Sequence, residues 1–308
     1  VSKRNVINAS LASARSLATI RRRNTFFNKC IVLIAGNVAL LGCTFSESAC
    51  AADAISNPVT SCEVLHWDRK GSAFPYLSVV KPGKYCIDQD YRFSCSEWLG
   101  SCGSSAFLEI FANDVEVDLQ GHTLSLSGSS IEIFGRGRNI VIKNGVIKKG
   151  KIAIQSLHAP SSDNINRGGG YTADRFDADN FTRVENMRIE TGSIAISAAN
   201  AVVRNNDVAL NAGFLAPVVI RGPHPVVENN RLTRSTQPSK FSSYGIYLRD
   251  VEHAVVRGNT IRNYGTSGNT AAVALRDSQS VHMENNRIDN FERPLEQIDA
   301  TDGQAGVN

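Results

Sequence analysis

Val203-Arg204-Asn205-Asn206-Asp207-Val208 decides the fold, because the chain repeats it. It returns as Val227-Glu228-Asn229-Asn230-Arg231-Leu232, as Val256-Arg257-Gly258-Asn259-Thr260-Ile261, and as Met283-Glu284-Asn285-Asn286-Arg287-Ile288. Looser copies precede it at Ile142-Lys143-Asn144-Gly145-Val146-Ile147 and at Val184-Glu185-Asn186-Met187-Arg188-Ile189. The earliest is Leu119-Gln120-Gly121-His122-Thr123-Leu124. The closing apolar residues stand at 124, 147, 189, 208, 232, 261 and 288, in steps of 23, 42, 19, 24, 29 and 27 residues. Short strands at such a period, with no helical pattern between them, are the signature of an all-β solenoid.

Each unit reads as three short strands. In one of them Ile246 and Leu248 point inward, and Tyr247 and Arg249 outward. A turn follows at 250–252, Ala254 and Val256 point inward, Asn259 sits in a tight bend, and Ile261 points inward again. Period-two alternation sets these faces, and successive units stack at about 4.8 Å. The recurring Asn206, Asn230, Asn259 and Asn286 are expected in the left-handed conformation of the bend, with amides bonding along the stack. Gly145 takes that place in an earlier unit.

Two outward columns differ. On the middle strand the chain carries Gln120, Lys143, Glu185, Arg204, Glu228, Arg257 and Glu284, with alternating sign from Lys143 onward. Opposite charges across paired strands contribute a few tenths to about 1 kcal/mol each, so this column is a self-sufficient ionic ladder. On the first strand the column reads Gln155, Ser197, Arg221, Arg249 and Arg276. Like charges in register destabilise a sheet, so these arginines need anions. Asp250 and Asp277, each following its arginine, are one source; an anionic ligand lying along the face is the other. A final strand over 294–299 would add Asp299 beside Arg276.

Loop lengths favour a ligand there. Residues 156–181 form an insertion, and the connections 233–243 and 262–270 are long. Long loops in a repeat protein gather on the face that binds, and here they would wall the arginine column into a groove with Tyr247 and Gln155 on its floor.

The flanks read differently. Residues 1–51 are expected to be a signal peptide, with Arg21, Arg22, Arg23 and Lys29 before an apolar run of 12 at 30–41, and Ala49-Cys50-Ala51 as the cleavage site. Leu40-Leu41-Gly42-Cys43 resembles a bacterial lipoprotein box, but cysteine parity disfavours it. Cleavage after Ala51 leaves Cys62, Cys86, Cys95 and Cys102, an even set with three connectivities open. These lie in an N-terminal cap at 52–112, before a β-helix over 113–300 and a disordered tail at 301–308. Without the leader the chain keeps 26 basic and 28 acidic residues, a net charge of −2 that speaks against nucleic acid as partner.

The repeat grammar and the lead-in Val115-Glu116-Val117-Asp118-Leu119-Gln120-Gly121-His122-Thr123-Leu124 resemble bacterial right-handed parallel β-helix repeat proteins of the pectate-lyase-like superfamily. The resemblance implies a single-stranded right-handed parallel β-helix of about seven or eight rungs with a disulfide-containing N-terminal cap. Members with known activity act mostly on polysaccharides. The chain lacks the Trp-Ile-Asp-His, Arg-x-Pro-x-x-Arg, Gly-His-Gly, Arg-Ile-Lys and Asp-Pro-His motifs of those enzymes, so no catalytic residue carries over.

The expected function is that of an exported protein, periplasmic or secreted, that binds an acidic polysaccharide. In the enzymatic version it cleaves or epimerises the chain. Arg221, Arg249 and Arg276 would hold uronate carboxylates, with Gln155, Asp250 and Asp277 beside them, and Tyr247, His158 or Arg249 would take the C5 proton. The alternative is a non-catalytic glycan-binding or structural cell-envelope protein. No metal or other cofactor is expected; Asp174, Asp177 and Asp179 have the oxygen ligands Ca²⁺ takes, but read as a solvated acidic loop. A monomer is expected, free of membrane once the leader is removed.

Overall fold

A computed structural model describes residues 61–67, 77–94, 107–127, 130–156, 176–211, 215–235, 243–265 and 270–298. The leader, Cys95, Cys102, the tail and His158 lie outside these residues. The described elements are strands, and their pairings are parallel. They form two sheets. One stacks the first strand of each unit, from Leu77–Val79 through Gly150–Gln155, Gly192–Ser197, Val218–Arg221, Ser243–Arg249 and Thr270–Arg276 to Arg293–Ile298. The other carries the middle and third strands.

The register is the one the repeat predicts. Leu124, Ile147, Ile189, Val208, Leu232, Ile261 and Ile288 follow one another as paired neighbours. All but the last are essentially inaccessible. Facing them from the first strands are Ile152, Ile194, Val218, Ile246 and Val273, also fully buried. Each such side chain contributes about 1.5–3 kcal/mol of transfer free energy, and stacking supplies what no unit could bury alone.

The bend between middle and third strands departs from expectation in one respect. The left-handed residue is the first of each pair: Asn205, Asn229 and Asn285 have φ of +55°, +55° and +53°, and Gly258 has +63°. The second asparagine is buried and makes the ladder. Nδ2 of Asn206, Asn230 and Asn259 each donates to Oδ1 of the next asparagine at 3.0 Å, ending at Asn286. The other Nδ2 hydrogen of Asn206, Asn230 and Asn259 reaches Val184, Val203 and Val227 carbonyls at 2.8–3.0 Å. The first Oδ1 accepts from the Met187 backbone at 2.9 Å. Gly145 serves another purpose: a Cβ there would lie 2.3 Å from Leu119 Cβ, and Asn144 takes the left-handed turn at +57°.

The middle-strand charge ladder forms, but begins at Asp118, which pairs with Lys143, rather than at Gln120. Glu185, Arg204, Glu228, Arg257 and Glu284 continue it in register. Arg204 meets Glu185 at 2.6 Å and Arg257 meets Glu228 at 2.7 Å.

The expected cap is built from strands of the same sheets: Glu63–Val64 pairs with Gly83–Cys86, which pairs with Val115–Asp118. Trp67 stacks on Phe107 at 4.5 Å between centroids and packs edge-on to Tyr91 at 4.6 Å, placing aromatic mass against the first units. Of the open connectivities, Cys62–Cys86 is formed.

Replacing Asn230 by Ala takes one donor from the Val203 carbonyl and from Asn259 Oδ1, and removes the acceptor of the Asn206 backbone N–H and Nδ2. The expected loss is about 3 kcal/mol in urea unfolding. Lys149→Ala, a change at an exposed position just past the third strand, is expected to stay within about 0.5 kcal/mol.

Candidate functional site

The arginine column forms as the repeat spacing predicts. Parallel pairing sets Gln155 beside Ser197, Ser197 beside Arg221, Arg221 beside Arg249, and Arg249 beside Arg276. Leu248 and Leu275 point into the core between them and their outward neighbours, so the guanidinium groups share the outer face. Their side chains are 16%, 30% and 21% exposed in that order, which makes Arg249 the most accessible. Ile298, rather than Asp299, stands beside Arg276; Asp299 lies outside the described residues.

The turn after each strand supplies the nearest anions. Asp250 and Asp277 are left-handed, with φ of +50° and +49°, a conformation that short polar side chains tolerate. That bend turns the Asp250 carboxylate back across the column, where Oδ2 accepts from Arg221 Nε at 2.7 Å and stands 3.6 Å from Arg249 Nε. Asp277 Oδ2 stands 3.6 Å from Arg276 Nε. The buried Nε atoms of Arg249 and Arg276 make no hydrogen bond. At strand spacing, two unscreened guanidinium charges repel by about 3 kcal/mol at an effective dielectric of 20. Among the described residues, Asp250 and Asp277 are the carboxylates that face these three guanidinium groups.

Tyr247 is not the open floor residue that alternation suggests. It does face outward, but it is 8% exposed. Its ring stacks on Tyr244 at 5.6 Å, in a second apolar cluster outside the main core with Ala216, Ala271 and Ala274. A phenol covered in this way is poorly placed to take a proton from a ligand. Gln155 is exposed at the other end of the column, two strands from Arg221. The structure thus brings together Arg221, Arg249, Arg276, Asp250 and Asp277, and leaves Tyr247 beneath them and Gln155 beyond them.

The returning end of the insertion packs against the turns. Phe176 is buried, and Asn200 Nδ2 donates to the carbonyls of Ala178 and Asn180 at 2.6 and 3.1 Å. Asp177 Oδ2 accepts from Arg138 Nη1 at 2.6 Å, and its Oδ1 accepts from the Asp179 backbone. The Asp177 hydrogen bond, followed by its charge, raises the Arg138 pKa. Both oxygens of Asp177 are therefore engaged, and the described residues hold no group of three or more His, Cys, Asp or Glu suited to a metal.

Two features escaped the sequence reading. Arg234 is 4% exposed, and Nη1 donates to the carbonyls of Leu215 at 2.7 Å and Tyr244 at 3.5 Å. It ties together the entries to two first strands, and burial lowers its pKa. Its parity with Leu232 was the available signal. The second is a cleft of about 430 Å³ on the outer face of the third strands, lined by Arg188, Glu190, Asp207, Arg231 and Thr233. Its charges pair loosely, Arg188 with Glu190 at 3.6 Å and Arg231 with Asp207 at 4.0 Å.

A family profile described as a right-handed β-helix region matches residues 102–305, about two thirds of the chain. The chain belongs to the right-handed β-helix family. No curated protein and no solved structure matches it. The family description carries the fold of this β-helix and its handedness; it names no ligand.

Asp250→Asn keeps the turn but removes the shared charge, and is expected to cost the β-helix about 2 kcal/mol at low salt, with part of the loss recovered in sulfate. Arg249→Gln, which thins the like-charge column, is expected to leave the urea midpoint unchanged or raise it.

Proposed function

We propose that this β-helix is an exported protein that binds an acidic polysaccharide along the column Arg221–Arg249–Arg276. The observation that carries this reading is the stacking of like charges in that column, in which the buried Nε atoms of Arg249 and Arg276 make no hydrogen bond. Three in-register guanidinium groups stand beside Asp250 and Asp277, while the neighbouring middle-strand column alternates in sign at every step. A chain of uronates carries one carboxylate on every sugar, so it lays repeated anions along a stack of strands. Guanidinium groups bind such carboxylates through paired, charge-assisted hydrogen bonds. The Cys62–Cys86 disulfide supports maturation in an oxidising compartment, periplasmic or extracellular.

Binding is better supported than turnover. Cleavage by elimination, like epimerisation, needs a base at C5 of the uronate. Of the residues nominated for it, Tyr247 is covered by its own cluster, Arg249 stands in the column beside the Asp250 carboxylate, which favours its charged form, and His158 lies outside the described residues. The non-catalytic reading is the one adopted here.

Calorimetric titration with oligogalacturonate, oligoalginate and heparan-type oligosaccharides tests this. At least one is expected to bind, and Arg249→Ala to weaken it by at least about tenfold. Rising salt is expected to weaken binding as well. Unchanged affinity in Arg249→Ala would show that the column is only a structural lattice. Absorbance from new unsaturated uronates would move the assignment from binding to lyase activity.

A further inference from the structure

The arginine column does not end at Gln155. The pairing of Ile154 with Gly135, carried one residue on, sets Arg136 beside Gln155. The pairing of Ile110 with Gly135, carried on likewise, sets Phe111 beside Arg136. The outward column therefore includes the run Phe111, Arg136, Gln155, Ser197, Arg221, Arg249, Arg276, with Val80 and Ile298 beyond its two ends. Six steps at the parallel spacing make it about 29 Å long.

Its head is unlike the rest. Arg136 is exposed, and its guanidinium carbon lies 4.9 Å from the ring centre of Phe134 and 5.7 Å from that of Phe111. Phe111 is 43% exposed, one of the few large apolar side chains on the described surface. Arg136 thus lies over two aromatic rings, and the exposed part of Phe111 offers an apolar surface beside that cation. Between it and Arg221 the column offers one amide and one hydroxyl, Gln155 and Ser197. The order along the axis is thus aromatic and cation, then two neutral hydrogen-bonding groups, then three cations.

We propose that Phe111 and Arg136 form a terminal sugar-binding subsite, so that the protein takes an acidic glycan of about six to seven sugars lying along the axis. This rests on the acidic-glycan reading above and extends it. A linked pyranose chain advances about one strand spacing per sugar, so each strand of the column meets one residue of the ligand. The carboxylates of one end lie on Arg221, Arg249 and Arg276. The hydroxyls of the middle sugars face Gln155 and Ser197. The apolar face of the far sugar stacks on Phe111, whose flat ring gives contact area at little entropic cost.

Length-dependent binding tests this. Wild-type affinity for oligogalacturonates of three to eight sugars, or for oligoalginates if those bind instead, is expected to rise through about seven sugars and then level off. Phe111→Ala and Arg136→Ala are expected to lose about fivefold for the heptamer while leaving the trimer unchanged. Phe111→Tyr, which keeps the ring, is expected to retain the heptamer gain. Matched thermal unfolding of each variant guards against misfolding as the cause. An unaltered length profile in Phe111→Ala, with binding still lost in Arg249→Ala, overturns the subsite and spares the column. Failure of every acidic oligosaccharide to bind the wild type overturns the glycan reading, and the subsite with it. Tighter binding of an oligothymidylate than of any glycan overturns both, because bases also stack on aromatic rings in cationic grooves.

Discussion

Vertical register is the constraint on which this molecule depends. Each unit buries its apolar face only by stacking, and stacking is productive only if like positions meet like. The asparagine ladder enforces that match. Asn206, Asn230 and Asn259 each donate one amide hydrogen to the unit before and one to the unit after. A slip of one residue would leave those buried groups unpaired and would also turn the apolar columns outward. Local backbone chemistry supports the same bend, since the residue just before each ladder asparagine is Asn or Gly in the left-handed region.

Register held this firmly has an electrostatic consequence. Any residue type that recurs in a column is brought to strand spacing from its copies, whatever its charge. On the middle strand the signs alternate, so along the ladder Asp118, Lys143, Glu185, Arg204, Glu228, Arg257, Glu284 each charge has opposite charges as its vertical neighbours. On the first strand the signs do not alternate. Relief comes from the turn, where left-handed Asp250 and Asp277 aim carboxylates back at Arg221, Arg249 and Arg276. The same register that alternates charge on one face thus stacks like charge on another, where the turn carboxylates supply the opposite sign.

The site was partly legible before the structure. Arg221, Arg249 and Arg276 share a column because each occupies the same place in its repeat, and a repeat can be read by eye. Asp250 and Asp277 were legible for the same reason. Tyr247 was misjudged: its outward parity was right, but its burial depends on Tyr244 and the alanines of neighbouring units, which parity does not reveal. Phe111 and Arg136 were missed because their units precede the well-kept repeats, and only the pairing of Gly135 with Ile110 and Ile154 aligns them. Arg234 was overlooked because an arginine after an outward threonine suggests a solvated loop, whereas its guanidinium is held by the Leu215 and Tyr244 carbonyls.

From its residues alone, this protein's solenoid, the inward columns and the membership of each outward column follow. Side-chain direction alternates with a period of two, and repeat position sets the vertical neighbour. Tertiary structure alone decided which asparagine turns and which one ladders, that Cys62 joins Cys86, that Asp250 lies between two arginines, and that Tyr247 is covered. Those outcomes depend on where chain segments of unequal length return in space, and alternation carries no information about that.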